Sequence, residues 1–258
     1  MIIKGHAPGT ILQFLFIRER LRRKSKKPMK FIEVGSGKGF LSHLLLSEGH
    51  AGVGVDLNQS ACAINQEVNE QHIVKGEYEI INSDFNLIDK TEFDFLISSM
   101  VIEHLNEYDL DQFIKKAKNI VKKDGFLIFL VPSNMMAWGI EDEIAGHVKR
   151  YSFRDIESLA NDHQMKIEIK VGLNYPISNW LLNISNYIIN KHEGHLISES
   201  EKIRTIYTGN RNVMYKTVFP KYLNIVLNEI LLLPFHFIQK AFRNSEKCLV
   251  MYIEFTFD

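Results

Sequence analysis

The sequence predicts an α/β protein: a doubly wound, mostly parallel seven-stranded sheet with a helical insert ahead of its last strand. Three observations carry that prediction. Short apolar runs recur between segments of helical periodicity, a Gly-rich turn follows the first run, and the alternation stops after Gly172 until a final alternating segment closes the chain. The chain divides accordingly into an N-terminal helical segment over 1–29, a core over 30–172, an insert over 173–247 and a closing strand over 248–258. At 258 residues, one elaborated domain is the default.

Residues 9–26 read as a helix. Its apolar residues Ile11, Leu12, Phe14, Leu15 and Leu21 pack on the core, and Arg18, Arg20, Arg22, Arg23 and Lys24 form a solvated basic end. Strands are expected at 31–34, 52–55, 78–81, 93–97 and 126–131, with helices at 40–47, 60–71 and 107–121 between them. Gly125 is read as the end of the last helix, and Pro132 as the stop of the strand that follows. Ser152 caps a helix over 153–162, and 165–171 is a sixth strand. The insert reads as mainly helical and rich in aromatics. Within it, Trp180, Leu181, Ile184, Tyr187 and Ile188 share a face, 223–233 is apolar almost all round, and Pro234 kinks or ends that helix.

Composition narrows the function classes. The 31 basic residues balance 31 acidic ones, so no global field gathers a polyanion and nucleic acid is an unfavoured partner. Cys62 and Cys248 stand far apart without metal-ligand spacing, which argues against a disulfide framework or zinc site and fits a reducing cytoplasm. The apolar run 11–17 precedes the basic cluster 18–27, the reverse of an export signal. Asn224, Asn228, Glu229, Pro234 and His236 interrupt 222–242, which is too polar for a membrane span. The expected location is the cytoplasm, with peripheral contact at the inner face of a membrane left open.

The sharpest motif is Phe-Ile-Glu-Val-Gly-Ser-Gly-Lys-Gly-Phe at 31–40, a strand running through a Gly-rich turn into a helix. Glycine there lets a ligand approach the backbone and lets the chain turn without a Cβ clash. The spacing selects among ligands. A dinucleotide fold places its third glycine where Phe40 stands, whereas here it falls at Gly39, so an NAD(P)-dependent oxidoreductase is disfavoured. A phosphate loop fails too, because no hydroxyl residue follows Lys38. Asp56 closes the second strand, where a carboxylate can accept from both hydroxyls of a ribose.

On these residues the chain resembles the class I S-adenosylmethionine-dependent methyltransferases over about 30–171. Two further segments, 93–105 (Phe-Asp-Phe-Leu-Ile-Ser-Ser-Met-Val-Ile-Glu-His-Leu) and 121–132 (Val-Lys-Lys-Asp-Gly-Phe-Leu-Ile-Phe-Leu-Val-Pro), are similar to the subfamily that includes the ubiquinone-biosynthesis O-methyltransferases. The resemblance implies S-adenosyl-L-methionine as cofactor, with Glu33 near its methionine end, Asp56 on the ribose, and Asp84 beside the adenine with Phe85 next to it. Gly35, Ser36, Gly37, Gly39, Leu57 and Ser99 complete the expected cofactor set.

Glu103 and His104 follow the fourth strand at the carboxyl edge of the sheet, where a ligand crevice is expected. Some relatives hold a divalent metal with Glu-x-x-Glu-His, but Met100 occupies the first of those positions, so no metal is expected. Gly-His-Val-Lys-Arg-Tyr-Ser at 146–152 resembles the family's acceptor-side segment. Glu103, Asp142, Arg150 and Tyr151 are accordingly expected to bind the acceptor, and His104 or His147 to serve as general base if the acceptor loses a proton. The implied activity is O-methylation of a small or lipid- or polyprenol-carried acceptor. A catalytically silent S-adenosylmethionine-binding scaffold is the alternative. The insert is read as packing on the core, as a homodimer interface, or as a lid or membrane platform whose cations include Arg204, Arg211, Lys216, Lys221, Lys240 and Arg243.

Overall fold

The computed structural model describes residues 2–199 and 212–257. Among these residues β1 (Lys30–Val34), β2 (Ala51–Asp56), β3 (Tyr78–Asn82), β4 (Phe93–Ser99), β5 (Val121–Pro132), β6 (Lys166–Leu173) and β7 (Val250–Thr256) form one sheet, in the order β3-β2-β1-β4-β5-β7-β6. β1 pairs in parallel with β2 and β4, β2 with β3, and β4 with β5, whereas β7 runs antiparallel between β5 and β6. Strand order therefore reverses between β1 and β4. Ligands of such sheets bind in the crevice outside the carboxyl ends of the strands at this switch point.

Successive strand residues face opposite sides, and both sides are covered. Phe31, Phe95, Ile128 and Tyr252 enter one apolar cluster with α1 (Pro8–Lys24) and α2 (Phe40–Ser47). Ile32, Leu96, Phe129 and Ile253 enter the other. The remaining α-helices among the described residues are α3 (Gln59–Val68), α4 (Glu70–Val74), α5 (Glu107–Ile120), α6 (Ile140–Ala145), α7 (Phe153–Asp162), α8 (Ile177–Glu193) and α9 (Glu229–Ala241), of which α5 and α7 cover this second face. Burial on both faces is why the strands read as continuous apolar runs.

Four expectations are corrected. The helix expected over 60–71 is interrupted at Asn69, whose side chain turns inward to donate to the Gly39 carbonyl at 3.1 Å. α5 ends at Ile120, not at Gly125: Val121 already pairs with Phe93, and a Cβ on Gly125 would stand 2.4 Å from Val121 Cγ1. That glycine permits close packing inside the strand and does not end the helix. The helix expected over 223–233 begins only at Glu229, after the Asn228 side chain caps it, and it runs through Pro234. The proline lies in the second turn and removes a single intrahelical bond.

The fourth correction concerns the basic end of α1. Arg20 donates to the buried Glu254 through Nε at 2.8 Å and Nη2 at 3.1 Å, and Lys24 reaches the same carboxylate at 3.2 Å. Burial alone would raise the Glu254 pKa, but the bonds from Arg20 and Tyr252 outweigh it and hold the group below the usual carboxylate range. Arg18 pairs with Glu229 of α9 at 2.8 Å. These cations fasten α1 to β7 and α9.

Candidate active site

The turn after β1 needs glycine for three different reasons. Gly35, Gly37 and Gly39 have φ of 74°, 49° and 77°, a region costly for side chains with a Cβ. A Cβ on Gly35 would lie 2.3 Å from Val101 Cγ2, and one on Gly39 would lie 2.1 Å from Asn65 Oδ1. Gly37 would meet nothing within 4 Å, so the loop keeps open space on that side. Asp56 braces the loop from β2, accepting from Gly37 N at 2.7 Å and from Asn58 N at 2.8 Å.

Beneath the loop lies a buried polar network that the sequence reading missed. The Ser42 hydroxyl donates to Glu33, the Tyr78 hydroxyl donates to Ser42 at 2.7 Å, and Asn65 Nδ2 donates to Ser36 Oγ at 3.2 Å and to the Tyr78 hydroxyl at 3.1 Å. Burial pushes the Glu33 carboxyl up to about 8, helped by the charge of Asp56 and opposed by the Ser42 bond. No local pattern flags asparagine inside a helix as a loop support. Its partners come from other elements.

The other expected cofactor residues divide. Ser99 is half-buried at the carboxyl end of β4, while Leu57 is exposed beyond β2. Asp84 is exposed and caps a short turn by accepting from Asn86 N at 2.8 Å. Phe85 is buried in the core, its ring 5.1 Å from that of Phe113, so it packs inward instead of lining a ligand site. Ser98 lies beside Val34 in the sheet register, and its buried hydroxyl has no hydrogen-bond partner among the described residues.

Beyond the end of β4 the structure brings together Glu103, His104 and His147, with one ligand-type atom from each lying within 4.8 Å of the others. The two imidazole rings meet edge to face at 4.8 Å. His104 is open to solvent on one side, yet the protein around the rest of it and the second imidazole push its pKa down to about 4. Both Glu103 carboxyl oxygens are buried without a hydrogen-bond partner, and burial pushes this group up to about 8. His147 Nε2 stands 3.8 Å from Glu103 Oε1.

Asp142, Arg150 and Tyr151 occupy different positions from those expected of acceptor contacts. All three are buried and committed to protein partners. Arg150 grips Asp142 with Nε and Nη2, each at 2.9 Å, while Nη1 donates to the Ser133 carbonyl at 3.0 Å. The Tyr151 hydroxyl donates to the Ile102 carbonyl at 3.1 Å, steadying the turn that carries Glu103 and His104. Asp142 also accepts from Gly139 N and meets His147 Nδ1 at 2.7 Å. Burial would raise its pKa, but His147 and Arg150 outweigh that and keep it ionised. These residues orient the histidine from behind.

Two residues of the insert, Asn212 and Lys216, reach the glycine loop and α6. Lys38 of the glycine loop donates to Asn212 Oδ1 at 2.9 Å, and Lys216 donates to Glu141 of α6 at 2.9 Å and Ser185 of α8 at 2.7 Å. Arg204 and Arg211 lie outside the described residues.

The family model described as a methyltransferase domain matches residues 11–168. A curated relative, the ubiquinone biosynthesis O-methyltransferase of Pelagibacter ubique, is 30% identical over 108 residues; the match covers 41% of this chain and less than half, 44%, of that protein. Among solved structures, magnesium protoporphyrin IX methyltransferase from Synechocystis PCC 6803 with bound SAH is similar at TM-score 0.54 and 16% identity, over 64% of this chain and 77% of that one. A protein from Galdieria sulphuraria described as a sarcosine dimethylglycine methyltransferase is similar at TM-score 0.58 and 11% identity, over 94% of this chain and 84% of that one. Likeness at such identity is likeness of fold.

Proposed function

This chain belongs to the methyltransferase-domain family, and from that membership we propose that it transfers a methyl group from S-adenosylmethionine to an oxygen of a small or carrier-linked acceptor, such as a quinone precursor or glycan intermediate. The observation that carries the oxygen reading is the Glu103, His104 and His147 cluster, reached from the cofactor loop through the contact that Val101 makes beside Gly35. The curated O-methyltransferase relative supports the same reading.

The residues fit the cofactor. The open space at Gly37, the left-handed glycines and the Asp56 carboxylate at the end of β2 make a cradle for a nucleoside whose ribose hydroxyls donate to that acid. S-adenosylmethionine supplies an electrophilic methyl on a sulfonium, so the protein has to align an acceptor and exclude water without forming a covalent intermediate. An alcohol or phenol must lose its proton as its oxygen attacks. With Nδ1 bonded to Asp142, the His147 proton is assigned to that nitrogen and the lone pair to Nε2, which takes the acceptor proton; the Asp142 charge then stabilises the imidazolium. His104, neutral at physiological pH, sits on the open side of the cluster and passes the proton to solvent.

A second reading rests on the same cluster. Glu103, His104 and His147 offer one carboxylate and two imidazole ligands to a divalent cation, and the partnerless oxygens of Glu103 fit that use. Titration calorimetry with S-adenosylmethionine, NAD and NADP tests the cofactor, and methyl transfer to a panel of catechols, phenols and sugars tests the acceptor. Binding of NAD or NADP without S-adenosylmethionine would overturn the proposal.

A further inference from the structure

A helix that covers a core ordinarily turns its polar side chains outward. α9 sets Leu232 and Phe235 against the core but departs from this pattern on both sides, with polar side chains turned inward and apolar ones outward. His236 and Gln239 point inward, His236 Nε2 to Glu19 at 2.8 Å and Gln239 to the Leu12 carbonyl and Asn174 N, while Glu229 meets Arg18 and Lys240 meets Glu19. The outward residues are Ile230, Leu231, Leu233, Phe237, Ile238 and Phe242, all exposed. α8 adds Trp180, Leu181, Ile184 and Tyr187, with Trp180 70% exposed. The two faces join where Tyr175 meets the Phe242 ring at 5.4 Å and Asn179 donates to the Lys247 carbonyl.

From this exposed apolar surface we propose that the outward faces of α8 and α9 dock the protein on an anionic bilayer surface. Charge complementarity identifies the occupant. Lys191, Lys221, Arg243 and Lys247 are exposed around the apolar faces and make no ion pair among the described residues, while Lys216 and Lys240 are already paired within the protein. Trp and Tyr among aliphatic residues, edged by exposed cations, match the headgroup layer of an anionic membrane. A second copy meeting the same face about a two-fold axis would set those cations against one another. Among the described residues no helix is long and apolar enough to cross a membrane, so the protein lies on the surface.

The docking face adjoins the active site. Lys216 ties α8 to α6, the helix that carries Asp142, and the crevice therefore opens beside the lipid. This placement rests on the methyltransferase reading and deepens it, because an acceptor held in the membrane reaches the cluster without crossing water.

Sedimentation of the full chain with vesicles tests the proposal, using phosphatidylcholine alone and phosphatidylcholine with one part in three of phosphatidylglycerol. The anionic vesicles are expected to pellet the protein and to shift Trp180 fluorescence to the blue in a Trp138→Phe background. A triple variant, Ile230→Ser, Phe237→Ser and Phe242→Ser, should weaken partition by about tenfold or more. Lys221→Glu with Arg243→Glu should weaken it severalfold, with S-adenosylmethionine affinity unchanged in both variants. Retention in the supernatant with both vesicles, equal pelleting with neutral vesicles, or a stable dimer in which Trp180 is shielded from acrylamide would each overturn it. Vesicle binding without S-adenosylmethionine binding would leave the platform standing and remove the proposed function instead.

Discussion

Asp142 Oδ1 lies 2.7 Å from His147 Nδ1, and the same carboxylate is gripped by the two-pronged Arg150 guanidinium. The acid holds the imidazole by one nitrogen and leaves the other facing Glu103 and His104. His147→Ala is expected to lower kcat by roughly 10²-fold or more while leaving S-adenosylmethionine affinity within about twofold. Asp142→Asn should lower kcat less and change the pH dependence of turnover, because the oriented charge is lost. Calorimetry beside initial rates separates the two effects. A matching loss of cofactor affinity would move these residues to the cofactor side.

The cofactor cradle is tested at Asp56 and Gly37. Asp56→Ala should weaken S-adenosylmethionine and S-adenosylhomocysteine by about tenfold or more through lost charge-assisted hydrogen bonds. Gly37→Val should weaken them further, since its side chain enters the open space above the loop at a φ of 49°. Unchanged affinity in either variant would show that the ligand lies elsewhere.

Gly39→Ala tests the support of the loop. The added methyl meets Asn65 and Asn69 at a φ of 77°, so the variant is expected to lose about 2 kcal/mol or more of stability. Denaturant unfolding measures it. Asn65→Ala, which removes the nearer of the two obstructions, should recover part of that loss in the double variant, while an additive result would sink the steric account.

Glu33 makes ligand-free stability pH-dependent. Its folded pKa of about 8 lies above the unfolded value near 4.5, so the folded state holds the proton more tightly. The associated stability is present in full below about pH 4.5 and is lost as pH rises toward about 8. In Glu33→Gln the fall in stability between pH 5 and 8 should shrink, with an effect on the order of 1–3 kcal/mol. Urea unfolding at both pH values reads it, and an unchanged pH slope would refute it.

Chelation separates the two readings of the Glu103 cluster. For general-base chemistry, turnover should be unchanged after treatment with EDTA and desalting. Loss of rate restored by a divalent cation would reassign Glu103, His104 and His147 as ligands.

The sequence alone determined the doubly wound sheet, because the central strands β1, β4, β5 and β7 are buried on both faces and the covering helices carry their apolar residues at helical spacing. It also determined the glycine loop, since three glycines and the acid at Asp56 lie within 22 residues of one another and answer to local backbone demands. Element ends were less legible. Gly125 looked like a helix stop, yet the constraint on it comes from Val121 and from Asp94 of the neighbouring strand.

Only the tertiary structure decided what surrounds the loop and the cluster. Asn65 and Tyr78 come from different elements, and so do Asp142, Arg150 and Glu103, so their hydrogen bonds have no sequence period. Burial likewise gives Arg150 and Tyr151 hydrogen-bond partners inside the protein, because a buried polar group must be satisfied there. The outward face of α9 was hidden for the same reason. Its apolar residues fit a core, a homodimer interface or a membrane platform alike until the packing of His236 and Gln239 against α1 showed which side faced in.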